Sequence, residues 1–157
     1  MGRPLKESSK SLVDRLRAIC VSVVLVGLLF GRSSHAQNDK IAEAVDRIRS
    51  TAPSVQRTEA ARSLFDLTRN GAGRNTSDAE IASLISLLDD KDISVEYWVA
   101  GTLGNIGFRA KSAIPHLNDL LRRTECQPLE KSPADAARYA LKRMKARITS
   151  GDCSVVK

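Results

Sequence analysis

The sequence has few of the side chains from which most catalytic and metal sites are built. It contains two histidines, three cysteines and one tryptophan in 157 residues. A histidine-based metal site needs several nitrogen, sulfur or carboxylate ligands that converge, yet no H-x-x-H, H-E or C-x-x-C pair occurs. No nucleophile elbow of the G-x-S-x-G type occurs, and neither glycine-rich nucleotide motif is present. These absences predict a protein that is not an enzyme and holds no cofactor or metal.

Aromatic residues and strand patterns are also scarce. Aromatics make up 4% of the chain, whereas strands are enriched in aromatic and β-branched residues. No segment alternates apolar and polar residues with the period of two that a half-buried strand shows. The composition therefore excludes an all-β sandwich and predicts an all-α fold.

A long apolar run is missing as well. The uncharged segment 18–30 has 13 residues, fewer than the roughly 20 that a membrane-spanning helix needs. A basic segment precedes it, and Ser34 and Ala36 place small residues at −3 and −1 before Gln37. This three-part pattern is typical of a secretory signal peptide. It predicts cleavage between Ala36 and Gln37 and export to the periplasm or extracellular space; a retained anchor and a buried helix are alternatives.

The positive charge lies mainly in this first segment. The whole chain has a net charge of +7, of which residues 1–36 contribute +4 and residues 37–157 contribute +3. More than half of the excess thus belongs to the segment that we expect to be removed. Together with the predicted export and the lack of interleaved aromatics, this charge distribution argues against a nucleic-acid partner.

Residues 37–150 form a series of about six predicted helices, followed by a tail at 151–157. Apolar residues recur at helical spacing, and turn or capping residues separate the runs. The pattern repeats, because Leu64, Leu103 and Leu141 occupy equivalent places at a spacing of roughly 40 residues. A period of this length indicates stacked helix pairs, each of which buries its faces against its neighbours.

The segment 92–123 carries the most specific pattern. An aspartate-led turn is followed by a small-rich helix that ends in Leu-Gly-x-Ile-Gly, and then by an Ala-x-Pro-x-Leu-x-x-Leu-Leu helix. The matching positions are Asp92, Val95, Leu103, Gly104, Ile106, Gly107, Ala113, Pro115, Leu117, Leu120 and Leu121. The segment resembles a HEAT repeat of the short bacterial kind, and weaker matches flank it at 57–88 and 133–144.

This resemblance implies a short right-handed α-solenoid whose second helices line a concave, protein-binding face. Three residues depart from the family pattern: Glu96 replaces arginine, Trp98 replaces a small residue, and Thr102 replaces alanine. The glycines at 101, 104 and 107 lie near one helix face, where we expect them to admit a neighbouring helix. Trp98 falls toward the core or its edge, and at an exposed edge it would be a binding anchor.

The predicted function is an exported HEAT-like scaffold that binds a protein partner. Four polar residues project from the second helix of the central repeat on faces that its leucines leave open: His116, Asp119, Arg122 and Arg123. They are the candidate binding residues, although His116, considered by itself, is expected to be a solvent-exposed side chain without a functional role. We expect charge reversal at Arg122 and Arg123 to weaken partner binding and to lower stability by no more than about 0.5 kcal/mol. The alternatives are an accessory lyase-like or other enzyme on the same scaffold, and an envelope structural protein.

The C-terminal region carries two further predictions. The last helix, predicted from Ser132 through Ile148, is rich in lysine and arginine, so weak contact with an anionic surface is an alternative to a merely solvated face. Cys126 and Cys153 remain after cleavage, and an even count in an exported chain is compatible with a disulfide. Two free thiols are the alternative.

Overall fold

The computed structural model describes residues 32–50, 52–127 and 132–149. The chain divides into two compact units, Met1–Ala36 and Gln37–Lys157. Within the described ranges the regular structure is helical and contains no β-strand, which confirms the predicted all-α class. Among the same residues, no helix has both the length and the apolar character needed to cross a bilayer. The apolar run 18–30 and the tail 151–157 lie outside the described residues, and cleavage at Ala36–Gln37 stays a prediction.

The described helices follow the predicted order. The α-helices are α1 (Arg32–Arg49), α2 (Ser54–Arg69), α3 (Asp78–Ile85), α4 (Ile93–Ile106), α5 (Ile114–Thr124) and α6 (Pro133–Arg143). Short 3-10 helices span Ala72–Asn75, Ser86–Asp89 and Gly107–Ala113. The helices α2, α4 and α6 thus begin at nearly equal intervals, which match the sequence period.

Side-chain caps explain where the helices begin and end. Ser77 and Glu80 form a reciprocal capping box at α3, which satisfies two N–H groups that would otherwise lack partners. The Asp92 carboxylate accepts from the Ser94 N–H at α4, and the Ser132 hydroxyl accepts from the Ala134 N–H at α6. Gly107 ends α4 with a φ of 70°, a conformation that glycine adopts without a Cβ penalty.

The helix α4 packs between α2 and α6, and α5 packs against α6. The equivalent residues Leu64, Leu103 and Leu141 have no exposed surface. The sequence prediction that Leu103 is a core residue is therefore confirmed. Burying a leucine side chain contributes about 1.5–3 kcal/mol, so this repeated position is a main source of cohesion between the three helices.

Two glycines of α4 permit this close packing, but they face different neighbours. A Cβ on Gly101 would lie 2.9 Å from the Phe65 ring of α2. A Cβ on Gly104 would lie 2.8 Å from the Tyr139 ring and 2.9 Å from the Cα of Ala140, both on α6. The prediction that glycines admit a neighbouring helix is confirmed for Gly101 and Gly104, which face different helices, and is wrong for Gly107, where a Cβ would meet nothing within 4 Å.

The last helix is shorter than the sequence predicted. It ends at Arg143 instead of Ile148, because Lys145 adopts a φ of 55° and the Ala146 N–H bonds back to the Leu141 carbonyl. The following segment then lies along α5, where the Thr149 N–H donates to the Asn118 side chain at 2.9 Å. The predicted basic helix is therefore divided, since Arg147 lies beyond it.

Candidate functional site

An aromatic pocket lies where α2, α4 and α6 meet. It has a volume of about 270 Å³ and is lined mainly by apolar surface from Phe65, Tyr97, Trp98, Gly101, Ala136 and Tyr139. Tyr139 is 41% exposed, so the pocket opens to solvent. Ligand pockets are commonly concave, apolar and aromatic, although one of this volume accommodates a single side chain better than a large molecule.

Trp98 is at the centre of the aromatic contacts. Its ring lies 5.3 Å from that of Phe65 and 4.9 Å, edge to face, from that of Tyr97. Such tilted and edge-to-face pairs contribute about 0.5–1.5 kcal/mol beyond the area that they bury. Trp98 is half-buried: it packs on the core and retains surface in the pocket, and its role as a binding anchor stays a prediction. The contacts hold the pocket wall in one arrangement.

The charged groups beside the pocket differ in whether they are paired. Asp135 also lines it, and its carboxylate lies 3.1 Å from an Arg138 nitrogen. Arg138 makes a second contact, at 2.6 Å, with Glu125. The Arg62 guanidinium lies over the Trp98 ring, 5.9 Å from its centroid. Among the described residues no carboxylate forms an ion pair with Arg62.

Asn105 of α4 forms hydrogen bonds with pocket residues of both α2 and α6. Its amide nitrogen donates to the Phe65 carbonyl at 3.1 Å, and its amide oxygen accepts from the Tyr139 hydroxyl at 2.9 Å. One α4 side chain therefore contacts both α2 and α6. Because side-chain networks that are fully paired rigidify a packed region, Asn105 holds the two aromatic residues at a defined separation.

The four predicted binding residues do not act as one group. His116, Asp119 and Arg122 are exposed on α5, and Arg122 pairs with Asp119. Arg123 is also exposed, with 40% of its side chain accessible, but it contacts the nearly buried Glu96 carboxylate at 2.5 Å and the Leu88 carbonyl. None of the four lines the aromatic pocket. Arg123 therefore has a structural role, because reversing its charge would leave Glu96 beside a second anion.

The Glu96–Arg123 contact has a counterpart on α2. Arg57 and Glu96 are each the fourth residue of their helix. Arg57 is buried and pairs with Asp90 in the turn before α4, whereas Glu96 pairs with a cation from α5. Burial raises the pKa of Glu96, although the contact with Arg123 opposes this effect. The fourth residues of α2 and α4 thus carry opposite charges, and each forms an ion pair.

Asp92 is held in its ionised form by several partners. Burial alone would raise its pKa, but hydrogen bonds from Ser54 and Ser94 and the nearby Arg57 charge together keep the pKa below its usual value. The Ser54 hydroxyl donates from the start of α2, so Asp92 links the first turns of α2 and α4. Its role in these contacts is to cap and align helices.

Two other features of the described residues are weaker candidates for a site. Among the described residues, no group of three or more histidine, cysteine, aspartate or glutamate side chains could hold a metal ion. A larger groove of about 730 Å³ lies between α1 and α2, but charged and small residues line it and no aromatic side chain does. The aromatic pocket has the more specific chemistry. Cys126 is half-buried just after α5, but Cys153 lies outside the described residues, so their pairing stays a prediction.

Comparisons with known proteins found no matching family model, no matching curated protein and no matching solved structure. Function is therefore inferred from the geometry of the chain.

Sequence reasoning missed Arg62, Asn105 and Tyr139 as members of the site. One signal was available: Phe65, Gly104 and Lys142 occupy equivalent positions, as do Arg62, Gly101 and Tyr139. In the structure each glycine faces the aromatic that is equivalent to the other glycine: Gly101 faces Phe65, and Gly104 faces Tyr139. Searching the neighbouring predicted helices for bulky residues near these glycines would have pointed to the pocket.

Proposed function

We propose that this protein is an exported, non-enzymatic HEAT-like module that binds a protein partner through its aromatic pocket. Two features support the HEAT-like assignment. The helices α2, α4 and α6 begin at near-regular intervals and pack in sequence order. Equivalent leucines, small residues and ion pairs also recur at these helix positions, as expected when similar units stack.

The aromatic pocket is the observation that carries the binding assignment. Tryptophan, tyrosine and arginine are the residues that most often dominate interface energies, and they do so from well-packed pockets. Trp98, Tyr97 and Arg62 meet here beside a solvent-open apolar cavity. This surface replaces the exposed α5 residues as the leading candidate. It also favours a binding role over the lyase-like alternative, which needs clustered acid, base or thiol groups.

The test compares two aromatic substitutions with different positions. Trp98→Leu keeps an apolar side chain but removes the ring at the centre of the pocket. Phe108→Ala removes a 68% exposed aromatic that does not line the pocket. A partner captured stoichiometrically from envelope extract would be identified by mass spectrometry, purified and titrated against each variant.

We expect Trp98→Leu to weaken binding by about thirtyfold, which corresponds to about 2 kcal/mol for an interface anchor, and Phe108→Ala to leave it unchanged. Equal affinity in both variants would refute the pocket as the binding site. Turnover of a small molecule by the partner-free protein would instead support the enzymatic alternative.

Export is tested separately by intact mass. The protein recovered from the envelope should begin at Gln37 or at its pyroglutamate. A mass that retains residues 1–36 would contradict cleavage and leave the anchor alternative.

A further inference from the structure

The charges around the aromatic pocket are not balanced. Asp135, the carboxylate in the lining, pairs with Arg138, while Arg138 is also held by the largely buried Glu125. The Arg62 guanidinium contacts the Trp98 ring, and Asp66, one turn further along α2, forms no ion pair with it within the described structure. Arg62, beside the pocket, therefore has no ion-pair partner among the described residues, whereas the lining residue Asp135, although 69% exposed, is paired.

Arg62 and Phe65 are three residues apart on α2, so they lie on the same side of that helix. Phe65 lines the apolar pocket, and Arg62 covers the ring of Trp98, which lines it as well. A ligand side chain in the pocket would therefore have a guanidinium beside it. Arginine matches the geometry of a carboxylate through paired N–H groups.

We propose that the pocket recognises a segment of a partner protein in which an apolar side chain is directly followed by aspartate or glutamate. The apolar side chain fills the 270 Å³ pocket, and the adjacent carboxylate pairs with Arg62. This inference rests on the proposed protein-binding function and specifies the chemistry of the partner.

The first turn of α6 argues that the carboxylate belongs to a side chain and not to a chain terminus. Terminal carboxylates are commonly captured by backbone N–H groups. The Ala134 N–H donates to the Ser132 hydroxyl, and the Asp135 and Ala136 N–H groups donate to the Ser132 carbonyl. Because these N–H groups are already paired, they are not free to bind a terminal carboxylate, and Arg62 is the anion-binding group at the rim.

The experiment uses the fluorescence of Trp98, the single tryptophan of the chain. The full chain would be titrated with short peptides that are acetylated, amidated and free of tryptophan and tyrosine. Three peptides differ at one position, with Leu-Glu, Leu-Gln or Leu-Lys at the centre. The protein variants are Arg62→Gln and the matched control Arg69→Gln. Both remove a charge from α2, but only Arg62 lies over the Trp98 ring.

We expect the Leu-Glu peptide to bind about threefold more tightly than the Leu-Gln peptide, the effect of a partly exposed ion pair, and the Leu-Lys peptide to bind most weakly. Arg62→Gln should abolish the preference for glutamate without weakening the Leu-Gln peptide, and Arg69→Gln should retain it. Each variant is first checked by circular dichroism, so that loss of folding is separated from loss of the contact.

Tighter binding of the Leu-Lys peptide would overturn the inference and show that the aromatic faces and Asp135 select a cation. A glutamate preference that survives Arg62→Gln would overturn it as well. If no peptide binds but the purified partner still requires Trp98, the inference fails while the proposed function stands.

Discussion

Replacing Gly104 by alanine tests how closely α4 and α6 are packed. A Cβ at this position would lie 2.8 Å from the Tyr139 ring and 2.9 Å from the Ala140 Cα. The ring can rotate away, but the Cα belongs to the backbone, so α6 itself has to move. This movement would also strain the hydrogen bond between Tyr139 and Asn105.

Two opposing effects set the magnitude. Alanine is a better helix former than glycine by about 0.8–1.0 kcal/mol, whereas overpacking a close contact costs about 1–3 kcal/mol. Because the clash involves the backbone, the overpacking cost of Gly104→Ala should lie near the upper end of its range, so we expect the free energy of unfolding to fall by about 1–2 kcal/mol. Gly101→Ala is the matched control, because its Cβ would meet only Phe65 ring atoms, and a half-buried ring can shift. We expect its stability to change by less than about 0.5 kcal/mol.

Urea unfolding followed by far-ultraviolet circular dichroism measures both variants, with the midpoint and slope fitted separately. Close packing of α4 on α6 requires Gly104→Ala to be the less stable of the two. If Gly104→Ala equals or exceeds the wild type in stability, this close approach is refuted. A Gly101→Ala variant that loses more than Gly104→Ala would show that α2 is the tighter neighbour.

Three further predictions concern polar groups. Arg123→Glu should lower the free energy of unfolding by about 2 kcal/mol or more, because the nearly buried Glu96 loses its cation. The control Arg122→Glu, whose ion pair is exposed, should change the free energy of unfolding by less than about 1 kcal/mol. Equal losses for the two variants in urea melts would contradict this difference. The raised pKa of Glu96 means that the folded state binds this proton more tightly than the unfolded chain, so its contribution to stability falls as the pH rises above the ordinary value of 4.5. Glu96→Gln should consequently gain stability relative to the wild type as the pH rises above 4.5, and a relative loss on that side would reverse the sign of the argument. The Thr76 hydroxyl is buried without a hydrogen-bond partner among the described residues, so Thr76→Val should raise stability by up to about 1 kcal/mol, and a lower thermal midpoint would show that the hydroxyl is satisfied.

The all-α class and most helix boundaries could be predicted from local sequence patterns. Local chemistry explains this success: Ser77, Asp92, Ser132 and Gly107 cap or end helices through bonds to residues nearby in the chain. The recurrence of leucine at positions 64, 103 and 141 likewise identified core residues, because apolar residues at helical spacing form the face that packs on the core. The error came at the C-terminus, where the segment after Arg143 leaves the helix and bonds to the distant Asn118.

Tertiary packing sets which polar residues pair with buried partners and which aromatic residues meet. Arg122 and Arg123 are neighbours in the sequence, yet one pairs with an exposed carboxylate of its own helix and the other with the nearly buried Glu96 of α4. Phe65, Trp98 and Tyr139 come from three helices, and their common pocket depends on the packing distances that Gly101 and Gly104 permit. Helical periodicity specifies the face on which a residue lies, but the close packing of a particular neighbour determines whether that face becomes core, ion pair or pocket.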